Sequence, residues 1–270
     1  MDTRKTSNGR DFNRIPLWKV APRSIPFSIG IAPSDVCNFR CVYCNQSTPA
    51  GIKDGRIMAW EDFLILADQI SELAEIGKTK GERIMNIRFI GNGEPLTNKR
   101  LPDMIANLRA RNICERFEVT TNASLLTNDM SDRLIESGLT RLLVSIQGTT
   151  AEKYKEVCGY NLDMQNFLSQ LEYFYAHRKD CKVYIKTIDV ALDGKDDEQK
   201  FMDMFSPLCD NIGIEKTIRA CADVNYDTFA PGDIDTTTRY GTQLVEKKCC
   251  DVLFMYLNIH SMGKVDSCGC

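Results

Sequence analysis

The sequence predicts an α/β fold, a partial (β/α)6 TIM-like barrel with a short C-terminal Cys-rich β-hairpin extension. Three observations carry this. Strand-like and helix-like segments alternate along residues 22–217, which demands a parallel sheet with right-handed crossovers. The units number about six, too few for a closed eight-fold barrel. Chemically unusual residues recur just after the strands, where such barrels hold their ligands.

The elements follow in order. Residues 22–31 open on prolines and become an apolar, β-branched strand. A Cys-rich loop covers 33–51. Residues 58–76 carry Phe63, Leu64, Leu66, Ala67, Ile70, Leu73 and Ala74 at helical spacing. A strand at 83–90 ends in Gly91-Asn92-Gly93-Glu94-Pro95. The helix at 101–112 puts Met104, Ile105 and Leu108 on one face. A strand at 116–121 ends at Asn122, and the helix at 128–137 is closed by Gly138. Residues 141–146 read as a strand, 164–178 as a long amphipathic helix, 182–190 as a strand, 198–208 as a helix and 211–217 as a strand. The rhythm then breaks. Residues 221–243 are polar and turn-rich, a linker or cover. The last stretch, 249–270, holds four cysteines and a strand pair, 253–259 and 264–266, turning at Met262-Gly263. The expected organisation is an N-terminal extension (1–22), the barrel (23–220), and a linker with the Cys-rich region (221–270).

Composition narrows the function. Thirty-four basic against 37 acidic residues give a net charge of −3, which argues against an electrostatic grip on nucleic acid or an acidic membrane. The longest apolar run, 252–257, is far short of the about 20 residues needed to span a bilayer. The polar N-terminus has no apolar core of a secretory signal, so a cytoplasmic protein is expected. Twelve cysteines against two histidines point to thiolate-bound iron–sulfur chemistry in a reducing compartment.

The sharpest motif is Cys37-Asn38-Phe39-Arg40-Cys41-Val42-Tyr43-Cys44, spaced C-x3-C-x2-C. Three thiolates hold three corners of a cubane and leave one iron open to a substrate or cofactor. A structural zinc loop is the plainer alternative. This spacing, with aromatic Tyr43 before the third cysteine, resembles the signature of the radical S-adenosylmethionine (SAM) superfamily, whose fold is a partial barrel of six β/α units. The resemblance implies a [4Fe–4S] cluster on Cys37, Cys41 and Cys44 with SAM on its open iron. Reduction then cleaves SAM to methionine and a 5′-deoxyadenosyl radical, which takes a hydrogen atom from the substrate. A flavodoxin or ferredoxin would supply the electron.

The segment Gly91-Asn92-Gly93-Glu94 is similar to the family's strand-two motif. On that resemblance Gly91, Asn92 and Gly93 let the backbone approach the methionine ammonium, and Glu94 adds negative charge beside it. A simple turn is the alternative. Asn122, Ser145 and Gln147 match strand-end positions that touch the SAM ribose or carboxylate, or else cap the next helix. Lys186 and Arg219 would pair with the SAM carboxylate or the substrate, or are solvated charges.

Cys250, twelve residues, Gly263, four residues and Cys268 resemble the opening of the SPASM and twitch extensions, which carry auxiliary [4Fe–4S] clusters. The resemblance makes Cys249, Cys250, Cys268 and Cys270 candidate ligands of an auxiliary cluster. A full SPASM extension carries further cysteines beyond this point. Adjacent side chains on extended backbone point to opposite faces. One of Cys249 and Cys250 is then expected to be free, and either Cys221 replaces it as a ligand or the cluster keeps an open iron. A free thiol at the barrel mouth is a candidate hydrogen-atom donor. Cys114, Cys158, Cys181 and Cys209 read as ordinary buried thiols.

The expected function is hydrogen abstraction from a substrate carbon by a radical SAM oxidoreductase or epimerase, acting on a small molecule or sugar. Residues 1–22 are too few to form a peptide-leader-binding domain, which favours that substrate over the alternative, a peptide or protein maturase of the ribosomal-peptide or sulfatase type. A non-catalytic iron–sulfur carrier is the rival of another class, and the 91–95 motif argues against it. No nucleic-acid or membrane partner is expected.

Overall fold

Strands β1 (Ser28–Ile31), β2 (Asn86–Phe89), β3 (Arg116–Thr121), β4 (Arg141–Ile146), β5 (Lys182–Ile188) and β6 (Asn211–Glu215) pair in parallel and in sequence order. The computed structural model describes residues 19–48, 55–230, 236–243 and 250–267. The sheet is open: β6 forms one edge. The strands alternate apolar with polar or small residues, as in Asn86-Ile87-Arg88-Phe89, and the apolar set Ile29, Ile87, Phe89, Val119, Val144 and Ile185 is buried completely.

The helices follow their predicted faces. α1 (Trp60–Thr79) buries Phe63, Ala67, Ile70 and Ala74, and Glu61 and Asp62 in its first turn suit the helix dipole. α2 (Leu101–Ala110) buries Met104, Ile105 and Leu108. α3 (Asn128–Glu136) is capped by Thr127, whose side chain accepts from Met130 N. After α3 the chain turns at Gly138, whose φ of +83° suits glycine. α5 (Met164–His177) and α6 (Lys195–Phe205) complete the layer.

Two features depart from the sequence expectation. A further helix, α4 (Ala151–Cys158), lies between β4 and α5. Thr150 caps it, Gly159 ends it in the left-handed region, and Tyr154, Val157 and Cys158 face inward. It spans only eight residues.

The second departure is the C-terminal hairpin. It forms as expected, with β7 (Tyr256–Ile259) antiparallel to β8 (Val265–Asp266). It is not an appendage, however. β7 pairs in parallel with β1 from Ser28↔Tyr256 to Ile31↔Ile259, extending the barrel sheet to the order β6-β5-β4-β3-β2-β1-β7-β8. Gly30 permits this: a Cβ there would lie 1.9 Å from Tyr256 Oη and 2.9 Å from Asn258 Oδ1. Among the described residues no helix is long and apolar enough to cross a membrane.

Candidate active site at the strand C-termini

The cysteine loop leaves β1 at the C-terminal end of the sheet. Cys37, Cys41 and Cys44 are half-buried. Three anchors hold the loop. The N–H groups of Arg40 and Val42 donate to Cys158 O and Val157 O (2.9 Å each), so the C-terminal end of α4 braces both sides of Cys41. Phe39 is 1% exposed and packs against Tyr154 and Tyr160, with ring centroids 6.1 and 4.8 Å away. Gln46 Nε2 donates to Asp35 O (3.1 Å) and Asn92 O (3.0 Å), tying the loop to the one after β2.

Among the described residues, no three metal-binding side chains converge on one point. A cubane needs no such convergence, because each thiolate takes a different iron. Burial pushes the Cys37 thiol up to about 11 and raises that of Cys44. Cys41 is raised well above its ordinary value, by its bond to the Cys158 thiol and then by burial. Such thiols become thiolates when a cationic cluster compensates the buried charge. Cys158 is buried as expected, and it also meets Cys41 and donates to Tyr154 O (2.8 Å).

The loop after β2 presses directly on the cysteine loop. A Cβ on Gly91 would lie 2.5 Å from Ala32 Cβ, and one on Gly93 2.5 Å from Ser34 O and 2.6 Å from Val36 O. Asn92 is exposed and its carbonyl takes the Gln46 amide. Glu94 is turned into the protein. It is 3% exposed, and both carboxylate oxygens are engaged within the protein. Oε1 accepts from Leu96 N (3.0 Å) and from the Thr121 hydroxyl, and Oε2 accepts from Asn122 N (2.7 Å). Burial raises its carboxyl, opposed by those three donors. Glu94 staples the loop after β2 to the end of β3. Asn122 is likewise spent on structure. Its Nδ2 donates to Asn38 Oδ1 (3.0 Å) and its Oδ1 accepts from Ser124 N (2.9 Å), while Asn38 Nδ2 donates to Ser124 Oγ (2.8 Å).

Tyr43 and Gln147 meet. The Tyr43 hydroxyl donates to Gln147 Oε1, and burial raises its phenol well above the ordinary value. They line a cavity of about 180 Å³ at the ends of β4–β6, with Ser145, Lys186, Glu215 and Arg239. Lys186 faces inward, and its Nζ lies 2.9 Å from Glu215 Oε2. Arg239 Nη1 reaches the same carboxylate at 3.8 Å. Arg219 instead turns toward Asp227 (2.8 Å) and does not line the cavity. Glu215 ends β6, so the strand-end rule applied there would have found it. Arg239 carries no local signal; a backbone bond from Lys216 N to Arg239 O (2.7 Å) brings it in.

The remaining cysteines separate. Cys221 lies close enough to Cys44 for their charges to interact, and its N–H donates to Tyr226 Oη (3.1 Å), which in turn bonds Tyr43 O (3.4 Å). It sits beside the first cysteine loop. Cys181 and Cys209 are buried as expected, whereas Cys114 is only half-buried. Cys250 is exposed. Cys249, Cys268 and Cys270 lie outside the described residues.

An open, mostly parallel sheet of β/α units, with a C-x3-C-x2-C loop at the C-terminal end of its first strand, defines a class. Residues 31–205 match the Radical SAM superfamily, and the chain belongs to it. Membership implies SAM and a [4Fe–4S] cluster. Among its relatives, a probable GTP 3′,8-cyclase of Archaeoglobus fulgidus is 33% identical over 165 residues, 61% of this chain and 48% of that protein. A GTP 3′,8-cyclase of Clostridium perfringens is 29% identical over 185 residues, 67% of this chain and 51% of that one. The chain thus spans about half the length of the curated relatives it matches. Of solved structures, Streptococcus suis SuiB bound to S-adenosylmethionine superposes with a TM-score of 0.64 at 16% identity, over 93% of this chain and 62% of SuiB. That likeness shows the fold.

Proposed function

We propose that this chain cleaves SAM reductively and removes a hydrogen atom from a carbon of a small polar molecule, as a dehydrogenase or epimerase. The observation that carries the reading is the meeting of two structures at the strand C-termini. One is a braced loop of three half-buried thiols, Cys37, Cys41 and Cys44. The other is the adjoining cavity, where Tyr43 and Gln147 face Lys186, Glu215 and Arg239. The bound cluster supplies the electron that breaks the sulfonium bond of SAM. The chain's own residues do the rest. Gly91 and Gly93 keep the loop after β2 close to the cysteines. Glu94 and Asn122 hold that loop and the cysteine loop to β3. Lys186 offers a cation to the SAM carboxylate, and Ser145, Tyr43 and Gln147 offer polar groups to its sugar. Cys250, with Cys249, Cys268 and Cys270, is the candidate ligand set of an auxiliary [4Fe–4S] cluster, and whichever of Cys249 and Cys250 stays unligated is the candidate hydrogen donor. A flavodoxin or ferredoxin is the proposed reductant, in the cytoplasm.

A small, largely uncharged substrate suits the charges at the cavity. Each cation around it already faces a carboxylate: Lys186 and Arg239 face Glu215, and Lys216 faces Asp189 at 3.6 Å. The SAM carboxylate need draw off only Lys186, and Arg239 stays with Glu215; a triphosphate would have to break all of those pairs. The second reading, cyclisation of a purine nucleotide, is favoured by the relatives named GTP 3′,8-cyclase.

The test is anaerobic reconstitution of the full chain, with iron, sulfide and 5′-deoxyadenosine measured on one sample under dithionite. Wild type forms 5′-deoxyadenosine and Cys41→Ala does not. Formation by Cys41→Ala refutes the assignment, and iron without cleavage in wild type supports a plain electron carrier. Incubation with GTP separates the two substrate readings: a new cyclised nucleotide sinks the dehydrogenase/epimerase one.

A further inference from the structure

The C-terminal hairpin reaches the cysteine loop through one buried contact. β7 ends at Ile259, whose carbonyl accepts from Ala32 N (2.8 Å). Two residues on, Ser261 is 4% exposed, and its hydroxyl donates to Asp35 Oδ2. Asp35 is 6% exposed and stands two residues before Cys37. Its backbone is held on both sides. Its N–H donates to Arg56 O (2.7 Å), and its carbonyl accepts the Gln46 amide (3.1 Å). Asp35 is therefore a rigid point on the run into the first cysteine.

Its second carboxylate oxygen, Oδ1, is buried with no hydrogen-bond partner among the described residues. Ser261 is thus the side-chain donor this carboxylate depends on, and a buried carboxylate is costly without one. The turn that carries Ser261 is itself stiff. Gly263 N donates to His260 O (2.9 Å) and His260 N to Lys264 O (2.8 Å), while His260 Nε2 lies 2.7 Å from Asp266 Oδ2. Beneath it, Gly30 lets β7 lie against β1 without a gap. These bonds and the seating of β7 on β1 fix Ser261 against Asp35.

We infer that Ser261 and Asp35 are positioning residues through which the C-terminal hairpin sets the geometry of the cysteine loop, and of Cys37 above all. The inference rests on reading Cys37, Cys41 and Cys44 as the cluster ligands. The contact joins residues 226 positions apart. A change seated in the hairpin, including cluster loading by the cysteines that flank it, is therefore felt at the first cluster.

The test uses the full chain, reconstituted anaerobically and reduced with dithionite. Iron per chain, the electron paramagnetic resonance spectrum with and without SAM, and SAM affinity are recorded. Ser261→Ala removes the hydroxyl and Ser261→Thr keeps it. Ser261→Ala should hold wild-type iron, show a diminished SAM-dependent spectral change, and bind SAM measurably more weakly, by up to about ten-fold, the ceiling set by the one hydrogen bond to a charged group that is lost. Ser261→Thr should match wild type. Should Ser261→Ala fail to fold, the double variant Asp35→Asn with Ser261→Ala removes the stranded charge and should show the same spectral defect. Wild-type spectra and affinity in either variant overturn the inference. So does a defect shared by Ser261→Thr, because the hydroxyl is then not its cause. A wild-type chain that holds iron but shows no SAM-dependent spectral change refutes the cluster reading itself, and the inference falls with it. A normal wild-type response with an unchanged Ser261→Ala refutes the inference alone.

Discussion

Replacing Gly30 by alanine tests whether the hairpin belongs to the barrel sheet. The new Cβ would stand 1.9 Å from Tyr256 Oη, 2.8 Å from Tyr256 Cζ and 2.9 Å from Asn258 Oδ1. Ordinary contact begins near 3.4 Å, so the tyrosine tip must retreat by more than an ångström or β7 must part from β1. Overpacking of this kind costs about 1–3 kcal/mol. At roughly 2–4 °C per kcal/mol for a domain of this size, the melting midpoint should fall by about 2–12 °C. Tyr256→Phe removes the nearest atom and should restore part of the loss. It cannot restore all of it, because Cζ and the Asn258 carbonyl remain. The assay is a double-mutant cycle of melting midpoints on identically loaded, anaerobic protein. An unchanged midpoint in Gly30→Ala refutes the close β1–β7 packing. Purely additive effects of the two substitutions refute the Tyr256 hydroxyl as its cause.

Three further outcomes follow from the same geometry. Lys186→Met should weaken SAM binding about ten-fold, the scale of one charge-assisted bond, measured by equilibrium binding; unchanged SAM affinity would leave Lys186 only its pair with Glu215. Cys158→Ala should keep the wild-type iron content, because Cys158 touches Cys41 without being one of the three motif thiols; loss of a cluster on iron analysis would make it a ligand. Asp210 governs part of the acid limb of stability. Burial opposes its ionisation, but the Val183 N–H (2.8 Å) and Arg178 (3.4 Å) outweigh this and hold its carboxyl below the ordinary 3.8. A carboxyl whose value drops on folding adds stability above its unfolded value and loses it as pH falls through the folded one. Asp210→Asn should therefore flatten the stability curve below about pH 4, read by denaturant titration between pH 3 and 6; an unaltered acid limb would sink this assignment.

Much of the active site was legible because its information is local. Cys37, Cys41 and Cys44 fall within eight residues, so their spacing alone places three thiols on one loop. Helical faces such as Phe63, Ala67 and Ile70 follow from a short-range period, and so does the strand–helix alternation that dictates a parallel sheet. The strand-end rule singled out the loop that carries Tyr43, the glycines Gly91 and Gly93, and Ser145 and Gln147.

What escaped depends on partners distant in sequence. Glu94 read as a charge for a ligand, yet Thr121 and Asn122 take its oxygens, which no pattern within 91–95 discloses. Cys158 read as a core thiol because nothing in 151–158 announces that its helix ends against Cys41. Arg239 enters the cavity from a segment with no periodicity.

The alternation of elements, the three-thiol loop and its place after the first strand follow from the order of residues alone, because each is set by neighbours a few positions apart. The seating of β7 against β1, the bond from Ser261 to Asp35 and the meeting of Lys186, Glu215 and Arg239 came from the folded chain. Each is a contact across about two dozen residues or more, and a sequence records the chemistry of both partners without recording that packing brings them together.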